Sequence, residues 1–213
     1  DVTLTGKVVI NGDVDIDTSA GTDGDITFTS TIVGADGTND DLILDTGGGA
    51  LTFHATTTIG AGDSPLSTLD IAQGGGTVAL TIPQIGDASD DGVSGVVRIG
   101  TATSTSVTMR DQTYRFGTGN VTITADTTGT IFSTTGNSTV DLAGGNFLIT
   151  GAAKVSNGTL DINSAGGDIE ITGAIVGHTG GDEILILDDN SGGSSTAVIT
   201  LGGTVGADAG SAS

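Results

Sequence analysis

The chain has 213 residues, 38 of them glycine, with 3% aromatic residues, no cysteine and a formal net charge of -21. Such a surface repels polyphosphate, so nucleic acid is excluded as an expected partner, and anionic lipid is disfavoured unless divalent cations bridge. The lack of cysteine removes disulfide staples and thiolate chemistry, while no apolar run approaches the roughly 18 residues that would cross a bilayer, so no membrane insertion is expected.

In chain order, short β-type segments alternate with turns rich in Gly, Asp, Asn and Ser. The first set is Val2 to Leu4, Val8 to Ile10, Val14 to Ile16, Ile26 to Phe28, Leu42 to Leu44, Leu51 to Phe53, Leu69 to Ile71 and Val78 to Ile82. Val96 to Ile99, Val107 to Met109, Tyr114 to Phe116, Val121 to Ile123, Ile131 to Phe132 and Val140 to Leu142 follow. Phe147 to Ile149, Leu160 to Ile162, Ile169 to Ile171, Ile184 to Leu187 and Val198 to Leu201 complete the series. Most alternate strictly, as Val14 and Ile16 do against Asp13, Asp15 and Asp17, which gives one apolar and one polar face. No segment holds a 3.6-residue period with capping signals, so essentially no helix is expected.

One stretch is used twice. Gly24 to Asp45, GDITFTSTIVGADGTNDDLILD, returns as Gly167 to Asp188, GDIEITGAIVGHTGGDEILILD, with 12 of 22 positions identical and an offset of 143 residues. The likeness extends upstream, so residues 11–45 match residues 157–188. A repeat, a hydrophobic fraction of 35% and few aromatics fit a solenoid, in which each coil stacks like residues on like, better than a sandwich with a wide core. The expectation is a single all-β domain over residues 1–213, a parallel β-helix with three strands per coil. Coils of roughly 20 to 25 residues would number about nine and make a rod roughly 45 Å long at about 4.8 Å each.

The phrases GDITFTSTIVGADGTNDDLILDTGGGALTFHATTTIG and RDQTYRFGTGNVTITADTTGTIF resemble the β-strand repeats of very large bacterial surface and secreted proteins, including filamentous-haemagglutinin-like adhesins. The resemblance implies a right-handed coil, export to the cell surface or medium, and a role as adhesin, stalk or matrix component. It brings no catalytic residue with it. Those proteins are far longer, so the chain is expected to be an excerpt or a subunit that regains length by assembly.

Acidic turns carry the most suggestive chemistry. Asp36, Asn39, Asp40 and Asp41 form one group, Asp87, Asp90 and Asp91 a second, and Asp182, Glu183, Asp188, Asp189 and Asn190 a looser third. Calcium takes six to eight oxygens, which such turns supply; Asp and Asn also favour turns because their side chains bond the local backbone. Neither an EF-hand loop nor a β-roll nonapeptide is present, so Ca2+ at the first two groups stands beside solvated turns as the alternative, and no cofactor is required. His54 and His178 have no second His or Cys nearby. Arg98, Arg110 and Arg115, with Met109 and Tyr114, make the only basic and aromatic neighbourhood, read either as a contact surface or as charge balance. Asn120, Asn137 and Asn157 head Asn-x-Ser/Thr triplets.

Without Trp, with one Tyr and five basic residues, the chain offers little to stack a sugar or abstract a proton, so a carbohydrate-active β-helix enzyme is the most distant reading. The first reading is a non-enzymatic extracellular structural protein, a stalk, fibre or matrix built by coil-on-coil stacking. Its partner would be neighbouring repeats or further copies joined head to tail through residues 1–10 and 202–213, with Val2, Leu4, Val198 and Thr200 at the junction. The alternative is an adhesin segment that binds a glycan, a receptor or a surface.

Overall fold

The computed structural model describes residues 1–35, 40–62, 64–73, 79–104, 106–125, 131–156, 158–177, 183–189 and 196–207, with backbone alone at 131–135, 156 and 207. The described residues form twenty-five short strands and no helix, and in most of the strands apolar and polar residues alternate. The ladders are parallel throughout, and wherever two strands pair they lie three places apart along the chain, which makes the molecule a β-solenoid.

The coil visits three faces in turn. The first carries β1 (Val2–Leu4), β4 (Ile26–Phe28), β7 (Leu51–Phe53), β10 (Leu80–Ile82), β13 (Val107–Met109), β16 (Ile131–Thr135), β19 (Ala152–Ser156), β22 (Ile175–Gly177) and β25 (Val205–Ala207). The second carries β2 (Val8–Ile10), β5 (Ile32–Gly34), β8 (Thr58–Ile59), β11 (Gln84–Ile85), β14 (Thr113–Phe116), β17 (Ser138–Leu142), β20 (Thr159–Asn163) and β23 (Ile184–Asp188). The third is one unbroken sheet of β3 (Val14–Asp17), β6 (Asp41–Gly47), β9 (Thr68–Gln73), β12 (Val97–Ile99), β15 (Val121–Thr124), β18 (Phe147–Thr150), β21 (Ile169–Ile171) and β24 (Ile199–Leu201).

Side chains stack in columns along the axis. On the third face one inward column runs Val14, Leu42, Leu69, Val97, Val121, Phe147, Ile169, Ile199, and the next runs Ile16, Leu44, Ile71, Ile99, Ile123, Ile149, Ile171, Leu201. Burial of such a side chain contributes about 1.5–3 kcal/mol, so many thin aliphatic layers replace one wide core. The aromatic rings among the described side chains go inside as well: Phe28 stacks on Phe53 with centroids 5.6 Å apart, and Tyr114, Phe116 and Phe147 are buried.

The coil count differs from expectation. Eight strands in the third-face sheet mean about seven turns, not nine, because most coils are longer than 20 to 25 residues: Val14 to Leu42 is a step of 28 and Ile169 to Ile199 a step of 30, although Phe147 to Ile169 is only 22. Seven steps at about 4.8 Å give a stack roughly 34 Å high. The sequence repeat, moreover, is out of phase with the coil. Its first copy supplies β4, β5 and β6 on the first, second and third faces, whereas the second supplies β21, β22 and β23 on the third, first and second. Inward residues stay inward: Leu42 and Leu44 correspond to Leu185 and Leu187, which also pack on the core.

Candidate functional site

The most regular polar device lies at the corner that feeds the third face. Gly119-Asn120, Gly145-Asn146 and Gly167-Asp168 immediately precede β15, β18 and β21. Successive corners stack so closely that a Cβ on Gly119 would strike the carbonyl of Gly95, one on Gly145 that of Gly119, and one on Gly167 that of Gly145. Close approach of the backbones, more than any special dihedral, explains these glycines.

The residue after each glycine ties its coil to the next. Asn120 Oδ1 accepts the N–H of Asn146 at 3.1 Å, Asn146 Oδ1 that of Asp168 at 2.8 Å, and Asp168 Oδ1 that of Val198 at 2.8 Å. The same bond recurs ahead of the first face, where Asp1 Oδ1 accepts from Asp25 at 2.9 Å and Asp25 Oδ1 from Ala50 at 2.8 Å. Ahead of the second face, Asn137 Oδ1 accepts from Thr159 at 3.0 Å. These side chains satisfy backbone donors that the strand ladders leave over at the corners. Their signal, Gly-Asn or Gly-Asp directly before an alternating segment, is present in the sequence, but composition-level reading counts such residues only as turn formers.

Outside the third face this corner column flanks a cleft of about 190 Å³. One wall is Asn120, Asn146 and Asp168; the other is Thr122, Leu148 and Glu170, two residues further along each strand and so roughly 6.6 Å away.

The acidic turns serve the coil in the same way. Asp36 and Asn39 of the first group, and Asp182 and Asn190 of the third, lie outside the described residues. Asp40 is buried, with Oδ1 accepting from Gly12 N–H at 3.0 Å and Oδ2 from Ala35 N–H at 2.8 Å. Asp41 begins β6 and is half-buried. Asp87 organises its own turn: Oδ1 accepts from Ser89 N–H at 2.8 Å, Ser89 Oγ at 2.9 Å and Asp90 N–H at 3.0 Å, and Oδ2 from Gly62 N–H at 3.2 Å. The backbone and hydroxyl of Ser89 hold its carboxyl below the usual range. Asp90 and Asp91 follow in that turn, half-buried. Among the described residues no three His, Cys, Asp or Glu side chains converge as a metal site would require.

The arginines divide. Arg98 pairs with Asp70 at 3.6 Å and Arg115 with Asp141 at 3.5 Å, which is charge balance along outward columns. Arg110 instead reaches two coils back, donating to the carbonyls of Phe53 at 3.1 Å and His54 at 3.3 Å. On this face β7 lies against β10 without ladder pairing, so the guanidinium supplies donors at the end of β7. Met109 and Tyr114 are core residues, not part of a basic surface. Burial pushes the Tyr114 hydroxyl up to about 12. His54 is exposed, with Nδ1 3.1 Å from Thr56 Oγ1; His178 and Asn157 lie outside the described residues.

The four junction residues fall on different faces. Val2 and Leu4 point inward from β1 on the first face, while Val198 precedes β24 and Thr200 lies within it on the third. The last described coil is unlike the interior: Ile199, Leu201 and Val205 are 44%, 42% and 63% exposed, against 0%, 0% and 4% for Ile169, Ile171 and Ile175 directly beneath them.

No protein-family model, curated protein or solved structure matches the chain.

Proposed function

We propose that the chain is a non-enzymatic, extracellular structural protein whose coils stack into a stiff stalk, fibre or matrix. The observation that carries this reading is the use of polar side chains. Asp1, Asp25, Asp40, Asn120, Asn137, Asn146 and Asp168 each accept a backbone N–H from another coil. Residue types that form reactive sites elsewhere are here spent on joining one coil to its neighbour. The acidic surface keeps rods apart at low divalent concentration, and Ca2+ between carboxylates of adjacent rods would draw them together.

Further coils, of a longer polypeptide or of another copy, would extend the exposed columns of Ile199, Leu201 and Val205. Geometry constrains the second case. If β2 and β3 of an incoming copy followed β23 and β24, its β1 would compete with β25 for the edge of β22.

Electron microscopy of three chains tests this: the intact chain, one lacking residues 1–6 and one lacking residues 202–213, each with calcium and with a chelator. Either truncation relieves the competition and should yield long, straight fibres; bundling only with calcium assigns the acidic turns to cation bridging. Short single rods in every condition would overturn self-assembly, and flexible, irregular particles would overturn the structural reading itself.

A further inference from the structure

The groups that line the cleft along β15, β18 and β21 include Thr122, Leu148 and Glu170, which no inter-coil side-chain bond employs among the described residues. We propose that this cleft binds a neutral, linear polysaccharide laid along the rod axis, a function beyond the structural role.

Each coil contributes one pair of groups to the cleft, Asn120 with Thr122, Asn146 with Leu148 and Asp168 with Glu170, repeated at about the 4.8 Å strand spacing. The inter-coil bonds fix the corner side chains. Asn120 and Asn146 are exposed, and with Oδ1 of each engaged by the next coil's N–H, each Nδ2 amide remains as a donor for a ligand. Thr122 adds a hydroxyl, Asp168 keeps its second carboxylate oxygen, Glu170 adds another carboxylate, and half-buried Leu148 forms an apolar step between them. The result is a row of donors and acceptors around a small apolar patch, repeating along a line.

That chemistry selects among ligands. An anionic polymer would meet Asp168 and Glu170, and the one arginine in the column, Arg98 beside Thr122, is already paired with Asp70. A peptide cannot add as a strand, because the backbone groups of β15, β18 and β21 are used in the ladders on both sides. At about 190 Å³ the cleft lies below the roughly 300–1,000 Å³ of enclosed small-molecule pockets, and it suits a chain passing through better than a molecule held within. A polyhydroxylated chain with a repeat close to the coil spacing meets a donor or acceptor at every step.

The test is amide NMR of the intact chain titrated with cellohexaose, xylohexaose and, as the anionic arm, oligogalacturonate. Saturable shifts of the Asn120 and Asn146 side-chain amides with a neutral oligosaccharide are expected, with affinity at least tenfold lower for oligogalacturonate. Leu148→Arg should lower the neutral affinity at least tenfold, and Glu170→Arg, at an exposed position, gives the same readout if the first variant folds poorly. No shift with either neutral sugar, shifts confined to another face, tighter binding of oligogalacturonate, or unchanged binding by both variants would each overturn the proposal. None of these outcomes alters the straight rods expected of the structural reading, so the two fail independently.

Discussion

Asn146 Oδ1 accepts the backbone N–H of Asp168, one coil further on, at 2.8 Å, while the Asn146 carbonyl accepts from Val121, one coil back, at 2.8 Å. One residue thus binds three consecutive coils. Asn146→Ala leaves the Asp168 N–H without its acceptor and should cost about 1 kcal/mol. Asn146→Asp should hold stability, since Asp168 performs the same task for Val198. The comparison is read from urea midpoints at unchanged slope.

Gly145→Ala is expected to be worse. The atom its Cβ would meet is the backbone carbonyl of Gly119, which cannot swing aside as a side chain does. The coils must separate locally, at a cost of about 1–3 kcal/mol or more. Gly206→Ala is the control, because a Cβ there meets nothing within 4 Å; its urea midpoint should not move.

Tyr114 predicts an alkaline limit. Its hydroxyl accepts from Arg110 N–H at 2.7 Å inside the core, and burial raises its ionisation to about 12. A group whose pKa is higher in the folded state stabilises the fold fully below the unfolded value, near 10, and loses that contribution as pH rises through the folded value. Stability should therefore fall by on the order of 2–3 kcal/mol between about pH 10 and pH 12. Tyr114 is the only tyrosine, so tyrosinate absorbance reports this single group, and a titration midpoint near 10 in the folded protein would contradict the placement.

Asp161 predicts a gain. It stands on the outer side of β20, and desolvation, then the charges of Asp141 and Asp188, raise its pKa. The sign is that of tyrosine: the ionised form is the costly one, so this contribution is lost as pH rises above the ordinary carboxylate range. Asp161→Asn should stabilise the fold at neutral pH by about 0.2–1 kcal/mol and do little at pH 3, as calorimetry at the two pH values will measure.

Alternation made the strands legible. Where two inward residues flank an outward one, as in Val14-Asp15-Ile16 or Leu69-Asp70-Ile71, the sequence states both the strand and its buried side. The six strands it did not announce lack that pattern or carry it only weakly, as β19 does with Ala153-Lys154-Val155. β5 and β22 are Ile-Val-Gly, with adjacent apolar residues, β8 and β11 have two residues each, β19 opens Ala-Ala, and β25 holds a single large apolar residue, Val205. These are held by pairing with neighbouring coils, a tertiary cause that no local pattern carries. The coil count suffered for the same reason, because turn length, unlike strand length, is unconstrained by packing. At the candidate site, the acidity of the turns was plain, but the division of labour was not. Whether Asp40 faces solvent or caps Gly12 and Ala35 depends on which coils meet at that corner.

The phase of the duplicated segment bears on how such a chain lengthens. From β4 to β21 is seventeen strands, which is not a multiple of three, yet the second copy turns the corresponding residues inward, Leu185 and Leu187 for Leu42 and Leu44. The three sides are interchangeable as hosts for one strand-and-turn module, so the quantum of growth is the module and not the full revolution. Any mark borne by both copies is consequently displayed in two different directions around the shaft, and duplication alone turns a one-sided ornament into a many-sided one.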